Sequence, residues 1–151
     1  MNLKMTKSIF RVIGTIIICC FLLTTCVPTN NIHRRTDINA LSDKLWIYSH
    51  SHPEGFTVDV LTMTEAVDGI AVSYSATQGC HSREKLNRVV RHALKHDGYV
   101  GGWFDSADSL YYFDSSRIFP EDSVAAAKKF GIDNGQIAIF NIGEKKEIRL
   151  P

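Results

Sequence analysis

The sequence predicts an α+β domain: a mainly antiparallel sheet of about five strands with two helices on one face. Three observations predict it. Apolar residues alternate with polar or small ones in Phe56-Thr57-Val58-Asp59-Val60 and again in Ile70-Ala71-Val72-Ser73-Tyr74, the period of a half-buried strand. Leu86, Val89, Val90, Ala93 and Leu94 instead follow the spacing of an amphipathic helix. The links between neighbouring strand segments are short, which favours antiparallel pairing with helices covering one face.

The 151 residues allow one domain. A hydrophobic fraction of 44% and a charged fraction of 22% exclude wholesale disorder. With 17 basic and 16 acidic residues the chain carries +1. This near balance excludes the field of a strongly basic nucleic-acid-binding domain.

The chain opens with an export signal. Lys4, Lys7 and Arg11 form a positive region, and an uncharged run rich in Ile and Leu follows from Val12 to Thr25. That run is too short to span a bilayer comfortably, which takes about 20 apolar residues, and fits the apolar core of a secretory signal. It ends in Leu22-Leu23-Thr24-Thr25-Cys26, which resembles a bacterial lipobox. The resemblance implies a lipoprotein signal over residues 1–26, lipidation of Cys26, and a lipid-anchored protein of the cell envelope. Residues 27–39 are polar and without period, with Pro28, Asn30, Asn31 and Arg34-Arg35, and read as a flexible tether. Residues 40–151 form the α+β domain. Three of the 17 basic residues precede Cys26 and all 16 acidic ones follow it, so the mature part is mildly acidic. Such a domain is expected to bind neither DNA nor anionic lipid by charge alone.

Within the domain, Ala40–Tyr48 fits either a docking helix or an irregular entry strand. Phe56–Val60 is a strand opened by Pro53-Glu54-Gly55, and Val67-Asp68-Gly69 turns into a second strand from Ile70, expected to pair with the first as a hairpin. Ser82 caps the clearest helix, and Gly98 ends it. Tyr99–Phe104 is the third strand, with Gly101-Gly102 marking a bulge or a close backbone approach. Asp105–Ser109 turns into the fourth, Leu110–Phe119. Pro120, Glu121 and Asp122 suit the first turn of a helix running to Phe130 and closed by Gly131. Gln136–Ile142 is a last strand, and Glu147–Leu150 a terminal strand or tail. The order is β-β-α-β-β-α-β.

Gly101-Gly102-Trp103-Phe104-Asp105, then Tyr112-Phe113-Asp114-Ser115, then Asn134-Gly135-Gln136 before Ile137-Ala138-Ile139-Phe140 form a recognisable succession. It resembles a small uncharacterised domain of phage, conjugative-element and Bacteroides proteins, built around a Gly-Gly-Trp-x-Asp hairpin. The resemblance covers roughly Gly55 to Gly143. It implies a mobile-element source and a fold, and no mechanism.

Several groups have the residue types that chemistry needs. His92 and His96 are four apart on a helix, with Asp97 adjacent; this spacing can grip a metal, and it equally suits histidines near a helix C-terminus. His50 and His52 form a loop pair near Glu54, which joins a metal site only if a third ligand arrives from elsewhere. Cys80 precedes a helix, where a thiolate is stabilised, but a nucleophile also needs a base in space; the alternative is a buried small hydrophobe. Cys80 is the sole cysteine after Cys26, so the mature domain has no internal disulfide. Asp105 and Asp114 flank the central hairpin and approach one another if the strands pair around its turn; otherwise they are turn-forming aspartates. Trp103, Tyr111, Tyr112 and Phe113 form either an aromatic platform or core, and alternation sends Tyr111 and Tyr112 to opposite faces. Arg83, Lys85, Arg88, Arg91 and Lys95 form a solvated helix face.

The sequence thus points to an envelope-tethered lipoprotein domain that acts by binding a protein or glycan partner, with Trp103, Tyr111 and Tyr112 as binding residues. It calls for no metal, no cofactor and no nucleic acid. The alternative is a secreted hydrolase or toxin-like enzyme whose catalytic candidates are Asp105, Asp114, His92 and His96.

Overall fold

The computed structural model describes residues 36–151. The signal segment, Cys26 and the tether up to residue 35 lie outside the described residues. The fold is α+β, as predicted. Ile38–His50 is helix α1, followed by β1 (Phe56–Asp59), β2 (Ile70–Ser73), α2 (Arg83–Lys95), β3 (Tyr99–Asp105), β4 (Leu110–Phe119), α3 (Val124–Asp133), β5 (Ala138–Asn141) and β6 (Lys146–Arg149). The undecided entry segment is therefore α1, and the C-terminal tail is β6. Helix α1 begins two residues before the expected start of the domain, where the Asp37 carboxylate accepts from the backbone N–H groups of Asn39 and Ala40.

All six strands join one sheet in the order β1-β3-β4-β2-β5-β6, and every neighbouring pair is antiparallel. The expected hairpin of β1 with β2 does not form. The chain after β1 folds back on β1 itself: Asp59 N–H donates to Thr64 O at 2.9 Å and Ala66 N–H to Thr57 O at 2.8 Å. Residues 64–66 thus occupy the edge that β2 would have needed. The Asp59 carboxylate tightens this reversal by accepting from the N–H groups of Leu61 and Thr62. Strand β2 crosses instead to a place between β4 and β5.

Strand alternation divides the sheet into two faces. The register puts Phe56, Val58, Val100, Phe113, Ile70, Val72 and Ile139 on one face, and all three helices cover it. Helices α1 and α2 bury Leu45, Leu86, Val89, Val90 and Ala93 with Val58, Val100 and Phe113. Helix α3 closes a second, smaller cluster of Ile70, Val72, Ala127 and Ile139. A fully buried side chain of this size stabilises by about 1.5–3 kcal/mol, so the first cluster dominates the core.

Helix termini follow their local chemistry. Ser82 Oγ accepts from Lys85 N–H, and Gly98, at φ 81°, takes α2 out of the helix by donating to Ala93 O. Gly131 does not end α3. It lies inside the helix, where a Cβ would stand 2.7 Å from Leu150 Cδ1 and 2.9 Å from Ile139 Cγ2. Its lack of a side chain lets α3 approach β5 and the chain end closely. The reversal belongs to Gly135, at φ 64°.

Candidate functional site

Among the described residues no helix covers the outer face of the sheet. Its most prominent feature is built by the β3–β4 hairpin. Trp103 and Tyr112 are direct cross-strand partners, and their rings stack with centroids 5.0 Å apart and planes 20° from parallel. Trp103 remains 47% exposed. On its other side the register brings Gly55, which has no side chain to cover the indole.

Carboxylates surround this pair. Tyr112 donates its hydroxyl to Asp108 at 2.6 Å. That bond, ahead of other causes, holds Asp108 below the usual carboxylate range and raises Tyr112. Asp105 accepts from Ala107 N–H, and Asp108 accepts from Leu110 N–H, so both also shape the turn. Asp114 sits further along the same face, 9% exposed, with Oδ1 lacking a hydrogen-bond partner. Burial pushes its pKa up to about 6, while the Trp103 and Thr77 side chains and the Arg88 charge pull it down. His81 packs edge-on against Tyr112, centroids 5.6 Å apart.

Asp105 and Asp114 do not meet. Asp105 pairs with Leu110 and Asp114 with Gly101, four strand positions away, which is about 13 Å at the rise of an extended chain. Tyr111 faces the helices, as alternation requires. It packs against Phe56 and Phe113, and its hydroxyl donates to His52 O at 2.8 Å. It therefore takes no part in the exposed platform.

His92 and His96 lie on the helix-covered face, across the sheet from Asp105 and Asp114. Their rings stack at 4.0 Å, Tyr74 packs on both, and His92 Nδ1 lies 3.0 Å from Ser115 Oγ. Tyr74 donates its hydroxyl to Asp97, and Arg117 lies 3.7 Å from the same carboxylate. Burial, then Asp97, pushes Tyr74 up to about 12. Burial, then His96, lowers His92. In sequence this cluster was visible as the histidine pair with Asp97 beside it; Tyr74, Ser115 and Arg117 join it only in the fold. It forms a polar seam where the two apolar clusters adjoin. The four candidates of the enzyme reading are thus split between two faces, and no single site holds them.

The remaining groups serve the fold. His50 Nδ1 contacts Trp46 O at 2.7 Å and His52 Nδ1 contacts Tyr48 O at 2.9 Å, so both rings turn back on α1. His52 also stacks on Tyr48, whose hydroxyl donates to Glu65 at 2.6 Å. Cys80 is buried, with Arg88 Nη2 at 3.1 Å from Sγ, and its carbonyl accepts from Phe113 N–H. Among the described residues no group of three or more His, Cys, Asp or Glu side chains is placed to hold a metal ion, and no helix is long and apolar enough to cross a membrane.

The aromatic pair and its carboxylates therefore form the candidate site. Comparison of the chain with family models, with curated proteins and with solved structures finds no match.

Proposed function

We propose that the protein is an envelope-tethered lipoprotein of mobile-element type that acts by binding, with the open face of its sheet as the binding surface. The observation that carries the binding reading is the Trp103–Tyr112 stack, with Trp103 exposed on a face that no helix of the described residues covers. A soluble domain gains by burying such rings, so an ordered aromatic pair left open to solvent fits a surface that a partner covers. The anchoring half of the reading rests on Lys4 to Cys26, and the source on the resemblance of the Gly101–Asp105 hairpin.

Two measurements test it. Intact mass of the protein extracted from the membrane of a bacterial host is expected to match a chain beginning at Cys26 with acyl groups attached. An unprocessed chain overturns the anchoring. A photo-crosslinking residue at position 110, on the open face, is expected to give an adduct in the living cell that the same residue at position 95, on α2, does not. Equal or absent adducts overturn the binding surface.

A further inference from the structure

The open face is acidic as well as aromatic. Around the stacked pair stand Asp105 and Asp108 in the turn and Asp114 along β4. Tyr112 feels the charges of both Asp108 and Asp105. Among the described residues none of these three aspartates enters an ion pair. The nearest basic groups are His81, at the edge of Tyr112, and Arg88, which is engaged with Gln78 O and Cys80 Sγ. Arg88 reaches toward Asp114 from α2, while the helix itself packs on the opposite face of the sheet.

An exposed indole among unpaired carboxylates has a defined complement. The ring face carries negative potential and attracts a cation placed over it. The carboxylates add a field of the same sign, focused by the low-dielectric sheet beneath. Asp114 strengthens the case independently: it is nine-tenths buried beside Trp103 and one of its oxygens has no partner. A buried polar atom left unpaired calls for an explanation, and a cation arriving at the adjacent indole would offset the cost of its charge. A guanidinium fits such a surface better than an ammonium, because it is planar, stacks on aromatic faces and is more weakly hydrated.

We propose that the Trp103–Tyr112 stack seats a cationic side chain of a protein partner, an arginine in preference to a lysine. This rests on the reading of the open face as the binding surface and adds the chemistry of what it binds. Exposed arginines are frequent anchors of protein interfaces, and the charge complementarity of this face selects for one.

The test uses the full chain in detergent and three dye-labelled probes followed by anisotropy: tetraarginine, tetralysine and the neutral sugar chitotetraose. Tetraarginine is expected to bind saturably at low salt, severalfold more tightly than tetralysine, and to weaken as ionic strength rises. Trp103→Leu, which keeps apolar bulk without the ring, and the double variant Asp105→Asn/Asp108→Asn, which keeps the turn acceptors without their charge, are each expected to weaken it at least tenfold. Asp133→Asn, which removes a distant exposed acid paired with Lys129, is expected to leave it unchanged. An unaltered thermal midpoint certifies that each variant is folded. Absence of saturable tetraarginine binding overturns the proposal, as does binding indifferent to Trp103→Leu or equal to that of tetralysine. Trp103-dependent binding of chitotetraose alone overturns the cationic ligand and leaves the face a binding surface, whereas the crosslinking at position 110 decides the surface itself.

Discussion

His92 Nδ1 stands 3.0 Å from Ser115 Oγ, and this pair fastens α2 to the middle of β4. Ser115 is fully buried, so the imidazole meets it best as a neutral ring. Burial and the neighbouring His96 lower the His92 pKa below its ordinary 6.5. The unfolded chain therefore holds the proton more tightly than the folded one. The stabilising contribution is complete above pH 6.5 and is lost as the pH falls through the lowered folded value. Measured against His92→Gln, which keeps a polar contact to Ser115 without the titration, the natural protein is expected to lose stability in denaturant titrations as the pH goes from 7.5 to 5.

Asp114 titrates with the opposite sign. Its folded pKa is raised to about 6 from 3.8, so its contribution is most favourable below 3.8 and is lost as the pH rises through about 6. A shift of about two units corresponds to a cost on the order of 3 kcal/mol above that range. Asp114→Asn is expected to raise the urea midpoint at pH 8, and the gain is expected to shrink to nothing by pH 3.5. A variant less stable than the natural protein at pH 8 would contradict this.

Gly102 is held to glycine by Phe56. A Cβ on Gly102 would lie 2.6 Å from Phe56 Cζ and 2.8 Å from Tyr111 Cε1. Both rings are set in the core, so neither yields freely. Gly102→Ala is expected to cost about 1–3 kcal/mol, measurable by urea denaturation. Phe56→Leu in the same chain is expected to recover part of the loss.

The Cys80 thiol is buried against Arg88. A thiol-reactive dye is expected to label the folded protein only as fast as it opens, and completely once denaturant is added. Cys80→Ala is expected to leave open-face binding intact. Rapid labelling of the folded chain would place the thiol at the surface.

What the sequence disclosed follows the range of the interactions involved. The β3–β4 hairpin was legible because alternation and a turn rich in Asp and Ser act within about 20 residues. The same alternation correctly sorted Tyr111 from Tyr112. Which of the two faces stays open depends on where three helices pack, and no local signal carries that. The partner of β1 was misread because residues 64–66 take its free edge, a choice made by long-range competition. Gly131 and Gly135 show the ambiguity of glycine: both fit a helix end, and only the approach of Leu150 and Ile139 assigns Gly131 to packing. His92 and His96 were legible as a pair. Their companions Tyr74, Ser115 and Arg117 come from other elements and were not.

The return of residues 64–66 along β1 matters wherever copies of the chain meet at high local concentration. An exposed strand edge is a template for cross-chain pairing and aggregation. At one margin that template is already occupied by the chain's own backbone. At the other, β6 is only four residues long and reads Lys-Glu-Ile-Arg, which sets charge against a stacking neighbour. Copies concentrated side by side by the proposed anchor would thus meet two blunted margins, which leaves the open aromatic face, the binding surface proposed above, as the exposed apolar area between them.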